Sequence, residues 1–363
     1  MSNLMNYEEF KSHIMEHVLD YFPEEYKTSN VSIERMVKNN DTVLDGLRIL
    51  QEGSNIAPVV YLNRSFEMYQ NGFDLDEIVE KIANNYMENM HPDFGVNYET
   101  FTSYEAIKDN ITCRLVNMES NAERLANAPT TQLSDLAVSY HVVVSQNNEG
   151  VASLLITNDL MERYGVSVDE LHNQAITNMT DKNKPVFKPL ADIMMETMLP
   201  DFAEEFGVGE EQAREMLGDM MPSNDGPDIY CLSNESKING AAALVNPEVQ
   251  EMIAEKVGGD YYILPSSIHE CLIVPMGGNM TYQELEAMAQ EVNATQVQPE
   301  ERLSDHVYQY DGKNHKIERA DQMQKMFNTE IGEKFKEVVQ EHLKEQMQDT
   351  PEIDAPEQTK TKH

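Results

Sequence analysis

Two hydrophobic periods alternate along this chain, one of about 3.6 residues and one of two. The clearest stretch is Glu149 to Asn178, which reads as strand, short helix, glycine stop and a second, capped helix. Leu136–Val144 and Val151–Ile156 are β-rich runs on either side of a polar Asn/Gly turn, the signature of a hairpin. Thr157 or Asn158 then caps a short helix that Gly165 ends. Ser167 and Glu170 are spaced as a capping box, and Val166 and Leu171 as a hydrophobic staple, so a second helix starts there.

The same start recurs at Gly72–Ile78, Met280–Leu285 and Met5–Phe10. Strand-like runs precede it at Pro58–Asn63 and, ahead of a helix ending near Gly258, at Gly240–Asn246. The spacing is irregular, so the pattern predicts a hairpin–helix unit used two or three times and not a solenoid.

In chain order, Tyr7, Phe10, Ile14, Val18 and Tyr21 predict an amphipathic helix over 6–22. Strands follow at Val31–Val37, Thr42–Leu50 and Ile56–Leu62, with a turn at Gly53-Ser54-Asn55 between the last two, and helices at 63–70 and 75–89. His91–Gly95 breaks the chain, residues 103–117 fit a helix or a helix followed by a strand, and Ala128–Thr131 reads as a linker. Residues 180–189, with three Lys and two Pro, read as a loop. Leu190–Met221 predicts two Met-rich helices, one ended by Pro200 and the next begun by Gly207-Val208-Gly209. Such a pair is more often core than an adaptable binding surface. Strand pairs are expected between 228–234 and 240–245, 261–264 and 271–274, and 306–310 and 316–319, with a helix at 281–292.

These elements predict an α+β fold of antiparallel hairpins covered by amphipathic helices. The expected regions are 1–127, with a helix, three strands and helices; 132–320, the hairpin–helix repeats; 321–348, an amphipathic helix; and 349–363, a disordered polar tail.

Composition narrows the function classes. The chain has 363 residues with 64 acidic and 27 basic side chains, a net charge of −37. Such a surface repels nucleic-acid phosphates and anionic lipid, and it favours a basic protein partner, cations or simply solubility. No apolar run approaches the length that spans a bilayer, so a cytoplasmic protein without a membrane partner is expected. The three cysteines, Cys113, Cys231 and Cys271, form no CxxC motif, which argues against a disulfide scaffold or a thiolate zinc site.

Several runs carry a resemblance: Asp41–Leu47, Ala57–Asn63, Tyr230–Asn234, Gly240–Leu244, Ile263–Glu270 and Leu303–Tyr308. They resemble a bacterial family of unknown function found in anaerobic Gram-positive bacteria. The resemblance covers nearly the whole chain except the tail and implies a bacterial cytoplasmic protein. It supplies no catalytic residue.

Candidate chemistry is sparse. Ser266, Ser267, His269 and Glu270, with Asp305 and His306, hold the residue types of nucleophilic catalysis. There is no G-x-S-x-G elbow, and Ser-rich turns commonly cap their own backbone. His13 and His17 lie four apart on one side of a helix, a spacing that suits a metal, but they lack the HExxH glutamate. Gly258-Gly259 precedes a strand. Gly277-Gly278 lacks the other residues of a dinucleotide or P-loop motif. No cofactor is expected. The reading is a non-catalytic intracellular interaction protein, with nucleic-acid mimicry as its sharpest form; the alternative is a hydrolase using the Ser/His turn at 266–270.

Overall fold

The computed structural model describes residues 4–51, 57–88, 101, 103–147, 150–220 and 228–329. The expected turn at Gly53-Ser54-Asn55, the break at His91–Gly95, most of the 321–348 helix and the 349–363 tail lie outside them. The fold is α+β, with all its strand pairs antiparallel among the described residues.

The first unit is a three-stranded sheet of β1 (Asn30–Val37), β2 (Val43–Leu50) and β3 (Val59–Tyr61) in that order. Helix α1 (Tyr7–His17) starts at a capping box in which Asn6 accepts from the Glu9 N–H and Glu9 accepts from the Asn6 N–H. Its Phe10 and Ile14 are buried with Leu47 and Ile49 of β2, and with Ile78, Val79, Ile82 and Tyr86 of α3 (Leu75–Glu88). Between β3 and α3 runs α2 (Asn63–Gln70).

The second unit contains the central stretch. Helix α4 (Tyr104–Ile107) leads into β4 (Ile111–Asn117), which settles the ambiguous 103–117 segment as helix then strand. A short helix, α5 (Ala122–Leu125), follows. The expected linker instead begins β5 (Thr130–Leu133). Strand β6 (Leu136–Asn147) pairs with β4 along one edge; along the other it pairs first with β5 and then with β7 (Gly150–Leu155). Helix α6 (Asn158–Tyr164) has its N-cap at Thr157 and ends at Gly165 in the left-handed region (φ 66°), and α7 (Val168–Lys182) opens with the Ser167/Glu170 box. The order β2-β3-α2-α3 thus recurs as β6-β7-α6-α7, the hairpin–helix unit expected from the sequence.

The third unit is a six-stranded sheet. β8 (Pro185–Pro189) forms one edge; inward follow β9 (Tyr230–Asn234), β11 (Cys271–Pro275), β10 (Tyr261–Leu264), β12 (Tyr308–Asp311) and β13 (Lys316–Arg319). Strand β8 corrects the loop expected over 180–189. Two prolines are tolerated in it because an edge strand needs ladder hydrogen bonds on one side only. Helix α8 (Leu190–Phe206) runs through Pro200, which was expected to end it; Gly207 in the left-handed region (φ 62°) ends it instead, before α9 (Glu210–Met220). This Met-rich pair is not wholly core: Leu199, Ala213 and Leu217 are buried between the helices, while Met194, Met198 and Met220 are exposed.

The expected strand at 240–245 is a 3₁₀ helix, Gly240–Val245, with all six residues buried. A fully buried apolar run has no polar face to reveal its period, so strand and helix look alike in sequence. The segment lies between the second and third sheets and shares their largest hydrophobic core, with Leu115, Val138 and Tyr140 on one side and Leu232, Ile263 and Ile273 on the other. It leads into α10 (Pro247–Val257). The far face of the six-stranded sheet packs under α11 (Tyr282–Thr295), where Leu264 and Val274 meet Leu285 and Ala289. A helix over 320–329 closes the described chain. The regions expected at 1–127 and 132–320 are joined by β4, whose whole length pairs with β6.

Candidate functional site

The turn over Pro265–Glu270 connects β10 to β11 and is held on two sides. On one, the Ile268 N–H donates to the Glu301 carbonyl (2.8 Å), and the N–H groups of Leu303 and Ser304 donate to the carbonyls of Ser266 and Pro265 (3.1 and 3.0 Å). On the other, the Ala241 N–H donates to the Ile268 carbonyl (3.2 Å), and Ser233 Oγ donates to the His269 carbonyl (2.8 Å).

Inside the turn, Ser267 and His269 serve the backbone. Ser267 Oγ accepts from the His269 N–H (3.0 Å), a local turn that Ser commonly makes. His269 Nδ1 accepts from the Asn239 N–H (3.1 Å), which assigns the ring proton of the neutral imidazole to Nε2, 3.5 Å from Glu301 Oε1. The ring therefore has no free basic nitrogen to offer a serine. Glu270 accepts from the Cys231 thiol at 3.6 Å, and burial followed by that carboxylate pushes the thiol up to about 12. Burial likewise raises Cys113, to about 12, and Cys271. None of the three is poised as a thiolate.

His306 and Asp305 turn toward α11. His306 Nδ1 is 2.9 Å from Glu286 Oε1, and Asp305 accepts from Asn293 Nδ2 at 2.7 Å. Among the described residues, no hydrogen bond or ion pair joins either one to Ser266, Ser267 or His269. His13 and His17 are in contact, with ring centroids 4.4 Å apart and the rings tilted by 42°. His17 Nδ1 is 3.4 Å from Asp20, and His13 Nε2 is buried without a partner. Burial first, then the His17 charge, lowers the His13 pKa. Among the described residues no three His, Cys, Asp or Glu side chains group as metal ligands.

The model of a family of unknown function, DUF5688, matches residues 7–312. The chain belongs to that family. No curated protein and no solved structure matches it. Within this DUF5688 chain, buried charge lies beside the Ser/His turn, at residues that sequence reading missed.

Alternation along β4 places Ile111, Cys113 and Leu115 in the main core and Thr112, Arg114 and Val116 on the opposite face. Arg114 lies across from Ser139 and Thr112 across from His141 on β6, with Ser153 on β7 beyond. The tip of the β1–β2 hairpin seals this face. Asn40 and Asp41 adopt left-handed conformations there, at φ 58° and 46°. Asn39 and Asn40 donate to the carbonyls of Glu300, Pro299 and Arg302 (2.7–2.8 Å), and the Asp41 carboxylate accepts from the N–H groups of Glu123 and Arg124 (2.8 and 3.1 Å).

Two spaces meet at Arg114. One is a cavity of about 130 Å³ that also touches Lys182, Asn178, Ser236 and Asn239. The other, about 10 Å³, has room for roughly one water and is bordered by Arg124, His141, Asn39 and Ile268 of the turn. Arg114 donates through Nη2 to Ser153 Oγ, while its Nε is buried without an acceptor. Burial, then the Arg124 charge, brings the Arg114 guanidinium down to about 10. His141 is 1 % exposed; Nε2 is 3.1 Å from Ser139 Oγ and Nδ1 has no partner. The signal in the sequence was an arginine and a histidine inside β-rich runs.

Burial, followed by the charges of Arg114 and Arg124, holds His141 well below the ordinary histidine range. The unfolded chain, with its histidines near 6.5, then binds more protons than the folded one in the window below that value. The stabilising contribution is complete above about pH 6.5 and is lost as the pH falls toward the lowered folded value. The slope from this one group is at most about 1.4 kcal/mol per pH unit. Urea unfolding at pH 7.5 and 5.5 is expected to show lower stability at 5.5 and a smaller difference in His141→Gln. His13 and His172, also lowered by burial, act in the same direction. An unchanged pH difference in that variant would remove His141 from the account.

Proposed function

We propose that this chain is a non-catalytic cytoplasmic binding protein whose acidic surface engages a basic protein. The charge surplus carries the reading. If every Lys and Arg paired with one carboxylate, 64 − 27 = 37 acidic groups would still have no basic partner. Their mutual repulsion opposes the compact state, and a partner rich in Lys and Arg relieves it. The Ser/His turn supports a non-catalytic role, because Ser267 and His269 are spent on backbone hydrogen bonds. Among the described residues no helix is long and apolar enough to cross a membrane.

The test is a tagged pull-down from the native host at low and high salt, read by mass spectrometry. The expected result is a stoichiometric basic protein captured at low salt and released at high salt, as screening of surface charge requires. A partner that survives high salt unchanged, or no partner at all, would overturn the electrostatic reading. An activity found later and abolished in Ser267→Ala and His269→Ala would instead favour a hydrolase.

A further inference from the structure

The cavity beside Arg114 carries an inference that does not depend on the acidic surface. Buried arginine is normally offset by a carboxylate, because a charge taken out of water without a partner costs several kcal/mol. This chain has carboxylates in excess, yet none of the described ones pairs with Arg114, whose single acceptor is the neutral hydroxyl of Ser153. The neighbouring Arg124 side chain also has no acceptor among the described residues. The charge acting on it is Asp41, whose two oxygens already accept backbone N–H groups. The Arg124 charge therefore adds to the burial that lowers Arg114 instead of neutralising it.

The larger cavity opens onto this positive charge. Lys182, at the end of α7, adds a second cation and is held there by the Asp109 carbonyl. Among the described residues of the lining, Asp109 is the lone carboxylate, against those two cations. The amide walls are fixed in place. Asn178 Nδ2 donates to the carbonyls of Lys108 and Ile111 (2.7 and 2.8 Å), and Asn183 Nδ2 donates to Ser236 Oγ (3.0 Å) while its Oδ1 accepts from the Ser236 N–H (3.1 Å). The space is close to that of an engineered cavity of about 150 Å³ that takes up benzene, so a small molecule fits.

We infer that this cavity binds a small molecule through a carboxylate or phosphate group held between Arg114 and Lys182. An oxyanion supplies the missing counter-charge, and guanidinium geometry matches either group through paired N–H donors. Inorganic phosphate and succinate serve as probes of the two sources of that chemistry.

The experiment measures the melting temperature of the full chain at constant pH and ionic strength, with phosphate, succinate or chloride, followed by calorimetric titration with the more effective anion. The expected result is a saturable rise with at least one oxyanion over chloride. Arg114→Met and Lys182→Gln are each expected to weaken affinity about tenfold or more, the size of the loss of one hydrogen bond to a charged group. Arg163→Gln, on the exposed surface of α6, is expected to keep the full response. Arg114→Met preserves the packed stem and removes an unpaired charge, and Lys182→Gln alters a helix end, so at least one should stay folded. No saturable rise with either anion overturns the inference. So does a rise that persists in both variants, because it would be the general salting effect of excluded anions.

Discussion

Gly240→Ala is expected to cost about 3 kcal/mol, the upper end of what an added methyl does in a tightly packed interior. A Cβ at that position would lie 2.3 Å from Ser233 Oγ, 2.5 Å from the His269 carbonyl oxygen and 2.8 Å from the Asn234 backbone nitrogen. Two of those atoms are backbone, and the third is committed to a hydrogen bond with the second. None can retreat without moving the Ser/His turn off the 3₁₀ helix beneath it. The control is Gly218→Ala in α9, where an added Cβ meets nothing within 4 Å. There the change should be neutral or stabilising by up to about 1 kcal/mol, since alanine is the better helix former. Urea midpoints of both variants decide the matter. Equal midpoints would mean that the approach at Gly240 relaxes easily.

This glycine also marks where sequence reading reached its limit. Helix starts were legible wherever a side chain must satisfy an orphan backbone N–H, because that chemistry is local: the boxes at Asn6, Ser167 and Thr281 all form. Hairpins were legible where alternation survives, as along β12 of the β12–β13 pair. Gly240–Val245 is buried on every side, so nothing in its pattern distinguishes a strand from a 3₁₀ turn. Strand β8 was hidden by its prolines, which are acceptable only at an edge, and an edge is a property of the assembled sheet. Pro200 failed as a helix stop for a related reason: α8 continues and packs Leu199 and Phe202 against α9.

The candidate site divides in the same way. The Ser/His turn was visible because its residue types are conspicuous, yet their roles depend on Asn239, Glu301 and Ser233, which come from elsewhere in the chain. Arg114 was invisible as a site for the opposite reason. One arginine in a strand is unremarkable until β6, β7 and the β1–β2 tip enclose it without supplying a carboxylate.

Tyr86→Phe is expected to cost about 2–3 kcal/mol, although it removes one oxygen atom and keeps the ring. Strand β2 pairs with β1 over its whole length, but β3 reaches only from Gly46 to Arg48. The next residue, Ile49, is buried at 1 % exposure beyond the end of β3, where its N–H and carbonyl would have no ladder partner. Tyr86, on α3 and fully buried, fills that position. Its hydroxyl accepts from the Ile49 N–H (3.0 Å) and donates to the Ile49 carbonyl (2.6 Å). One side-chain oxygen thus continues the sheet where the strand stops, and it locks α3 onto β2. Phenylalanine would preserve the contact with Phe22, whose ring meets Tyr86 edge-on at 5.5 Å, and leave both backbone groups buried and unpaired. Each such group costs about 1–3 kcal/mol, which is why the loss exceeds that of an ordinary surface hydrogen bond. The check is urea unfolding of the full chain, comparing midpoints at equal slope. Amide exchange at Ile49 gives a second readout, expected to accelerate in the variant. A loss below about 0.5 kcal/mol with Ile49 still protected would show that the two groups find other partners, and that β2 is closed by something other than Tyr86.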